Sequence, residues 1–186
     1  MAVFRIRKDV NRYEWLTLAN FDEVLESVYQ KFDGLPMKES WPQLYVQSYP
    51  DEDDETECSS GDFRYVSGLS PGIVLSKHAV DVLGPLLVGN GELLPIHYSG
   101  HTLFFFNVTC LADVLNFDKS DIVCFSTGRI LTVERYVFDA DKIPSNDLFK
   151  IAQMPLGDTF VSEKFKEMVE ENELEGLLFH PVEIAG

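Results

Sequence analysis

The chain has 186 residues, and 31 acidic against 15 basic side chains give it a net charge of −16 at pH 7. This charge disfavours direct binding to nucleic acids and to anionic membranes, because both are themselves negative. It favours a basic partner, or it serves solubility alone. Hydrophobic residues make up 45% of the chain, so we expect a single domain over residues 1–186 with a core that needs no disulfides.

The cysteines and the N-terminus indicate the compartment. Cys58, Cys110 and Cys124 are an odd number with no close pair, which suits a reducing cytosol better than a disulfide framework. Residues 1–7 contain too few apolar side chains for a signal peptide. No apolar run approaches the roughly eighteen residues of a membrane span. We therefore expect a soluble, cytoplasmic protein.

The first regular element in the N-terminal part is a predicted helix at residues 21–32. Phe21, Val24, Val28 and Phe32 recur at helical spacing, and Gly34 follows as a breaker. Residues 41–46 are predicted as a strand or an extended segment.

Residues 51–57 contain six acidic side chains in seven positions. Their mutual repulsion and the lack of an apolar face predict an exposed loop. Such a loop is either simply solvated or binds a basic partner. Its acidic residues are Asp51, Glu52, Asp53, Asp54, Glu55 and Glu57.

The stretch at residues 66–87 organises the middle of the chain. A Ser-Pro-Gly turn at 70–72 precedes a short apolar strand at 73–75. Ser76 then stands at the N-cap of an amphipathic helix over residues 77–83. Gly84 and Pro85 are expected to stop it, and Pro85 can open one further turn that carries Leu86 and Leu87. This dense apolar unit is predicted to form part of the core.

The C-terminal part is predicted to form two hairpins and a further helix. Residues 93–98 pair with 103–108, and because the second run is apolar on both faces, Phe104 and Phe106 are placed in a central strand. Residues 121–125 and 129–138 form the second hairpin. Ser162 caps a helix over 163–171, which repeats the order of strand, serine and helix seen at residues 73–83.

Together these elements predict an α+β fold. It consists of a mainly antiparallel sheet of hairpins, with helices near 21–32, 77–83 and 163–171 packed against it.

Eight short pieces, in this order, resemble a family of bacterial immunity proteins from polymorphic toxin systems. They are residues 70–76, 83–87, 91–95, 106–108, 128–130, 136–138, 160–165 and 174–177. The resemblance divides the chain into an immunity-like core at 63–186 and an N-terminal part at 1–62 outside it. It implies a small cytoplasmic protein that binds a cognate toxin and blocks it. The acidic residues at 51–57 then become candidate toxin-binding residues, and the toxin is expected to be basic.

We predict no catalytic residue, no metal site and no cofactor. Cys110 with His97 or His101 could supply a nucleophile and a base, but no surrounding motif supports this, and cysteine after an apolar strand is commonly a small buried hydrophobe. No local Cys or His pair has the spacing of a zinc site. Two alternatives stay open: a small cytosolic enzyme that uses Cys110 or a histidine, and an adaptor domain whose partner is not a toxin. The oligomeric state is undetermined.

Overall fold

The computed structural model describes residues 2–28, 32–49, 59–69 and 72–186. These ranges form mostly strands, with three α-helices among them. The helices are α1 (Phe21–Val28), α2 (Lys77–Leu87) and α3 (Glu163–Glu171). The first eight strands are β1 (Val3–Lys8), β2 (Trp15–Leu18), β3 (Leu44–Ser48), β4 (Phe63–Ser67), β5 (Ile73–Leu75), β6 (Gly91–Tyr98), β7 (His101–Val108) and β8 (Leu111–Ala112). The others are β9 (Asp121–Cys124), β10 (Ile130–Arg135), β11 (Val137–Asp139), β12 (Leu148–Ile151), β13 (Thr159–Ser162), β14 (Leu177–Pro181) and β15 (Glu183–Ala185).

Six strands close into a barrel in the order β2-β3-β6-β7-β5-β4, and β4 returns to β2 in parallel. Alternate side chains of these strands fill the interior, as the twofold periodicity of a strand requires. The inward residues include Leu16, Leu18, Leu44, Val46, Val66, Val74, Leu94, Ile96, Leu103 and Phe105. Two aromatic residues that precede β3 join this core, since the rings of Phe32 and Trp41 lie 4.6 and 5.5 Å from that of Phe105 between centroids.

A five-stranded sheet in the order β14-β1-β13-β12-β8 lies beside the barrel. Its inner face shares a core with α2, α3 and the outside of the barrel, where Phe106, Leu148 and Phe165 are buried together. A third core covers the opposite face of the sheet, and there Phe138 and Phe160 pack edge to face with centroids 4.9 Å apart. Apolar packing on both faces therefore holds this sheet between the barrel on one side and strands β10 and β11 on the other.

The structure contains the same ββα unit twice. In the first unit, Ser76 Oγ accepts from the amide of Ala79 at 3.0 Å and donates to Asp62 Oδ1 at 2.6 Å. In the second, Ser162 Oγ accepts from a backbone amide at 3.1 Å and donates to Asp147 Oδ1 at 2.6 Å. The first unit consists of β4, β5 and α2, and the second of β12, β13 and α3. The repeated order of strand, serine and helix is therefore a structural repeat.

The predicted α+β sheet of hairpins is wrong as a description of the fold. The protein is mostly β, and its first large feature is a closed six-stranded barrel. Several pairings are parallel, including β2 with β4 and β3 with β6. Such pairs join strands that are far apart in the chain, so no turn between neighbouring runs signals them. Closure of the barrel determines which strands pair with the short strands β2, β3 and β4, and no local sequence pattern indicates these partners.

The predicted helices and hairpins agree better with the structure than the predicted fold class does. α1 begins at Phe21 and α3 spans Glu163–Glu171, as the periodicity indicated. Of the rest of the helix predicted at 21–32, residues 29–31 lie outside the described residues and Phe32 is not helical. The hairpins β6–β7 and β9–β10 are both present. The predicted stop at Gly84 is wrong, because α2 continues without a break to Leu87, and the turn expected at Leu86 and Leu87 is the last turn of the same helix. Leu86 and Leu87 are buried in the shared core while Pro85 is exposed, so apolar packing outweighs one lost backbone hydrogen bond.

Candidate functional site

The outer side of the barrel wall formed by β6, β3, β2 and β4 carries a row of aromatic side chains. In β3, Leu44 and Val46 point into the barrel and Tyr45 points out. In β2, Leu16 is buried and Trp15 is exposed. The residues that fill the barrel thus place their neighbours on its outside. This aromatic face consists of Trp15, Tyr45, Tyr49, Tyr65 and His97.

The aromatic side chains are exposed and yet held in place. Trp15, Tyr45 and Tyr49 keep 45, 44 and 55% of their surface accessible. The indole Nε1 of Trp15 donates to the carbonyl oxygen of Val10 at 2.7 Å, and its ring lies 5.1 Å from that of Tyr65. Rings fixed in this way contact a partner at a low cost in conformational entropy.

A second ring pair extends the aromatic face toward β6. Tyr45 and His97 are register partners on the parallel strands β3 and β6. Their rings stack with centroids 5.1 Å apart and an interplanar angle of 28°. The stacking places the imidazole in a surface layer with tyrosine.

A polar network ties together the four strand segments behind this face. Glu14, which precedes β2, accepts from Ser48 Oγ at 2.6 Å, from Arg64 Nη1 at 2.9 Å and from the hydroxyl of Tyr98. Arg64 also lies over the Tyr98 ring, 5.2 Å from its centroid. One residue therefore comes from each of β3, β4 and β6, and Glu14 joins them to β2. The network fixes the spacing of the strands that carry the aromatic face.

The six acidic residues predicted to bind a partner, Asp51, Glu52, Asp53, Asp54, Glu55 and Glu57, lie outside the described residues. The chain on either side of them is placed. The amide of Tyr49 donates to the carbonyl oxygen of Trp15 at 2.8 Å, and the carbonyl oxygen of Ser59 accepts from the amide of Glu14 at 3.1 Å. The acidic run therefore connects two points that both contact the start of β2, next to the aromatic face.

The β9–β10 hairpin forms a second exposed apolar surface. Val123, Phe125 and Leu131 are 39, 41 and 50% exposed. The guanidinium of Arg129 lies 5.1 Å from the Phe125 ring, and an ion pair between Arg135 and Asp121 at 2.9 Å ties the base of the hairpin. This surface is smaller in aromatic area than the aromatic face, since it contributes one ring.

The described residues offer little for covalent or metal chemistry. Cys110 is half-buried, and burial raises the pKa of its thiol, which disfavours the thiolate that a nucleophile needs. His97 is stacked on Tyr45. Within the described ranges, no group of three His, Cys, Asp or Glu side chains is arranged to hold a metal ion. None of the helices that the structure describes has the length and apolar character to cross a membrane.

Part of the chain is similar to a known protein family. The model of the immunity protein family (Imm11) matches residues 97–183, a little under half of the chain. This confirms the resemblance to an immunity protein family, and the pieces of the resemblance before residue 97 lie outside the matched residues. No curated protein matches the chain. The matched residues run from the end of β6 to the first residue of β15 and include the β9–β10 hairpin.

The match suggests a toxin-neutralising role, and immunity protein families are generally non-catalytic. The aromatic face was missed in the sequence. Its signal was the alternation of Leu44, Tyr45 and Val46, which marks a strand with one apolar and one exposed aromatic side. Only the pairing of β3 with β2 and β6 brings its tyrosines beside Trp15 and His97.

Proposed function

We propose that this protein is a cytoplasmic immunity protein that binds a cognate bacterial toxin and neutralises it without catalysis. The match to an immunity protein family over residues 97–183 carries this proposal. The aromatic face is the proposed contact surface for the toxin. The proposed mechanism is steric: the bound protein covers the active site of the toxin and excludes its substrate.

The composition of the aromatic face supports its role as a contact surface. Trp and Tyr are enriched among the few interface residues that supply most of the binding energy. They bring large apolar area together with a polar group that tolerates water when the partner is absent. Trp15 and Tyr45 are both fixed by neighbouring groups, so little freedom is lost on binding.

The charge of the protein supports a basic toxin as the partner. The net charge of −16 attracts a positively charged surface over long distances. Six of the acidic residues lie in the sequence between Tyr49 and Ser59, and both of these flanking residues bond to the backbone at the start of β2. Steering by the acidic run and anchoring by the aromatic residues are therefore proposed as two separate contributions.

The proposal is tested with the toxin domain encoded next to the gene of this chain. Co-expression is expected to restore growth, and the two proteins are expected to co-elute in gel filtration. Failure of both, with a neighbouring domain that is demonstrably toxic, would contradict the immunity function.

A pair of matched variants tests the contact surface. Replacing both Trp15 and Tyr45 by Ala on the aromatic face is expected to weaken binding by about 2 kcal/mol or more per anchor residue. Replacing Phe125 and Leu131 by Ser on the β9–β10 hairpin is the control and is expected to leave affinity within about three-fold. The reverse result would place the contact on the hairpin while leaving the immunity function intact.

A further inference from the structure

A pocket of about 250 Å³ lies in the seam between the five-stranded sheet and the barrel. Its walls are mostly apolar and come from both sides of the seam. The apolar lining includes Ile6 and Leu177 from the sheet, and Tyr65 and Ile73 from the barrel. Lys8 and Thr159 add an ammonium and a hydroxyl group.

Thr159 is a buried polar residue whose hydroxyl lacks a partner. Only 3% of its surface is exposed, and its Oγ1 atom makes no hydrogen bond within the part of the chain that the structure describes. Leaving a buried hydroxyl unsatisfied costs stability, and most native structures avoid it. A ligand in the pocket would supply the missing partner.

Two buried lysines are associated with this seam: Lys8 lines the pocket, and Lys150 is next to it as the cross-strand neighbour of a lining residue. Burial, and then the charge of Arg7, lower the pKa of Lys8 to about 8. Lys150, the cross-strand partner of Thr159, is 1% exposed and donates to the carbonyl oxygen of Pro155 at 2.9 Å. Burial, and then the charge of Lys8, lower its pKa to about 8 as well. An anion beside Lys8 would relieve the cost of holding a cation in an apolar seam.

The one carboxylate in the lining is already engaged. Asp158 pairs with Arg7 at 3.1 Å and with Arg5 at 3.6 Å, and it accepts a hydrogen bond from the hydroxyl of Tyr136 at 3.0 Å. The carboxylate of Asp158 is therefore shared by three donors. Among the described residues, Lys8 has no carboxylate within ion-pair distance.

The internal repeat shows that these polar residues are not demanded by the fold. The register pair of Phe63 with Leu75 in the first ββα unit corresponds to that of Leu148 with Val161 in the second. Two residues after Phe63 and Leu148, Tyr65 of the first unit corresponds to Lys150 of the second. Two residues before Leu75 and Val161, Ile73 corresponds to Thr159. The same positions are thus aromatic and aliphatic in one unit and cationic and hydroxylic in the other. The two sets meet at this seam.

We propose that this pocket binds a small organic carboxylate, whose charged group contacts Lys8 and Thr159 and whose apolar body contacts Ile6 and Ile73. Its volume exceeds the roughly 150 Å³ of an apolar cavity that holds benzene and falls below the 300 Å³ or more of drug-sized sites. Arg7 and Asp158 in the lining pair with each other, which leaves the ammonium of Lys8 and the hydroxyl of Thr159 for a monoanion with an apolar body. A phosphate dianion would need more donors.

The test uses the full-length protein and defined probes. Benzoate and hexanoate are titrated by calorimetry and by saturation-transfer NMR in about 0.15 M salt, where long-range repulsion from the acidic surface is screened. Benzyl alcohol is the uncharged match to benzoate, and inorganic phosphate is an anion without an apolar body. Benzoate or hexanoate is expected to bind in the millimolar range or tighter, and benzyl alcohol and phosphate at least about ten-fold more weakly.

Two conservative variants locate the binding. Lys8→Met keeps the side-chain stem and is expected to weaken carboxylate binding by about ten-fold or more, since it removes a charge-assisted hydrogen bond. Thr159→Val keeps the shape and is expected to weaken it by about three- to ten-fold. Lys164→Met, at an exposed lysine, is the control and should bind as the unmodified protein does. The proposal is overturned if neither carboxylate binds, or if benzyl alcohol or phosphate binds as tightly as the carboxylates. It is also overturned if Lys8→Met and Thr159→Val leave the affinity for the carboxylates unchanged.

Discussion

Arg64 Nη1 lies 2.9 Å from Glu14 Oε2, and this ion pair joins β4 to the start of β2 where the barrel closes. Both side chains are largely shielded from water, with 11 and 18% of their surface exposed. Solvent therefore screens the pair less than a surface ion pair. Because Ser48 and Tyr98 donate to the same carboxylate, Glu14 is the common acceptor for three strands.

Replacing Glu14 by Gln should destabilise the protein by about 1–3 kcal/mol, because Arg64 would stay largely buried without a counter-charge. Urea denaturation measures the loss. Glu134→Gln, at an exposed position on β10, is the control and should stay within about 0.5 kcal/mol. Equal stability of Glu14→Gln and the unmodified protein would mean that the network does not hold the barrel wall.

The sequence could predict elements whose cause is local. Ser76 and Ser162 were found because an N-cap needs only a short side-chain oxygen before an amphipathic run. The hairpin of β6 and β7 was found because its two runs are separated by the Ser99-Gly100 turn. Both signals lie within a few residues of the element that they define.

Barrel closure and the aromatic face could not be predicted in this way. The parallel pairing of Trp15 with Tyr65 joins residues separated by α1, β3 and the acidic run. It depends on the cores on both sides of β4 and not on any turn. For the same reason the seam pocket was missed: Lys8 and Thr159 come from the two ends of the chain, and nothing near either residue signals the other.

The two serine caps should contribute similarly if the ββα units are equivalent. Ser76→Ala and Ser162→Ala are each expected to cost about 1–2 kcal/mol, from the lost cap and the lost partner of the neighbouring aspartate. Thermal and chemical denaturation of both variants check this. Ser126→Ala, in the exposed turn of the β9–β10 hairpin, serves as the control. A loss at one serine only would show that the two units differ in energetic weight.

The strand predicted to be central, β7, is covered on both sides, but its phenylalanines differ in burial. Phe106 is buried in the core beside α2, whereas Phe104 is half-buried. Phe106→Ala should therefore cost about 3–5 kcal/mol and Phe104→Ala less. Phe117→Ala, at a residue 54% exposed, should change stability by no more than about 0.5 kcal/mol. Denaturation midpoints that rank these residues differently would contradict the burial of Phe106.

Lys150 should make stability depend on pH in a defined window. Its folded-state pKa of about 8 lies below its ordinary value of 10.5, so between these values the unfolded chain binds more protons and stability rises with pH. At neutral pH the buried ammonium costs of order 3 kcal/mol, partly offset by its hydrogen bond to Pro155. Lys150→Met should therefore be more stable at pH 7 by about 1–3 kcal/mol.

The advantage of Lys150→Met should shrink as the pH approaches 10, where the unmodified lysine becomes neutral in the folded state. Denaturation at four or five pH values between about 6 and 10 measures this. Lys164→Met, at an exposed residue, should show no such trend. A difference that stays constant with pH would mean that Lys150 is not charged in the folded protein at pH 7.

The acidic run is predicted to act on the rate of association with the toxin. Changing Asp51, Glu52, Asp53, Asp54, Glu55 and Glu57 to Asn or Gln removes six of the sixteen net negative charges. Exposed charges act over long distances and are screened by salt. Association should slow by about ten-fold or more at low ionic strength, and the difference should shrink near about 0.5 M salt.

Both rate constants, measured by surface plasmon resonance at two salt concentrations, separate steering from direct contact. Steering changes the association rate, and salt removes the difference. A run that inserts into the toxin would instead raise the dissociation rate, and salt would recover little of the loss. The matched control neutralises six exposed acidic residues on segments other than those that carry the aromatic face, namely Asp118, Glu134, Asp141, Glu167, Glu171 and Glu173. If both variants slow association equally, the net charge of the protein and not the identity of the neutralised residues governs the encounter. If the run variant associates at the unmodified rate at low salt, the six acids have no role in binding.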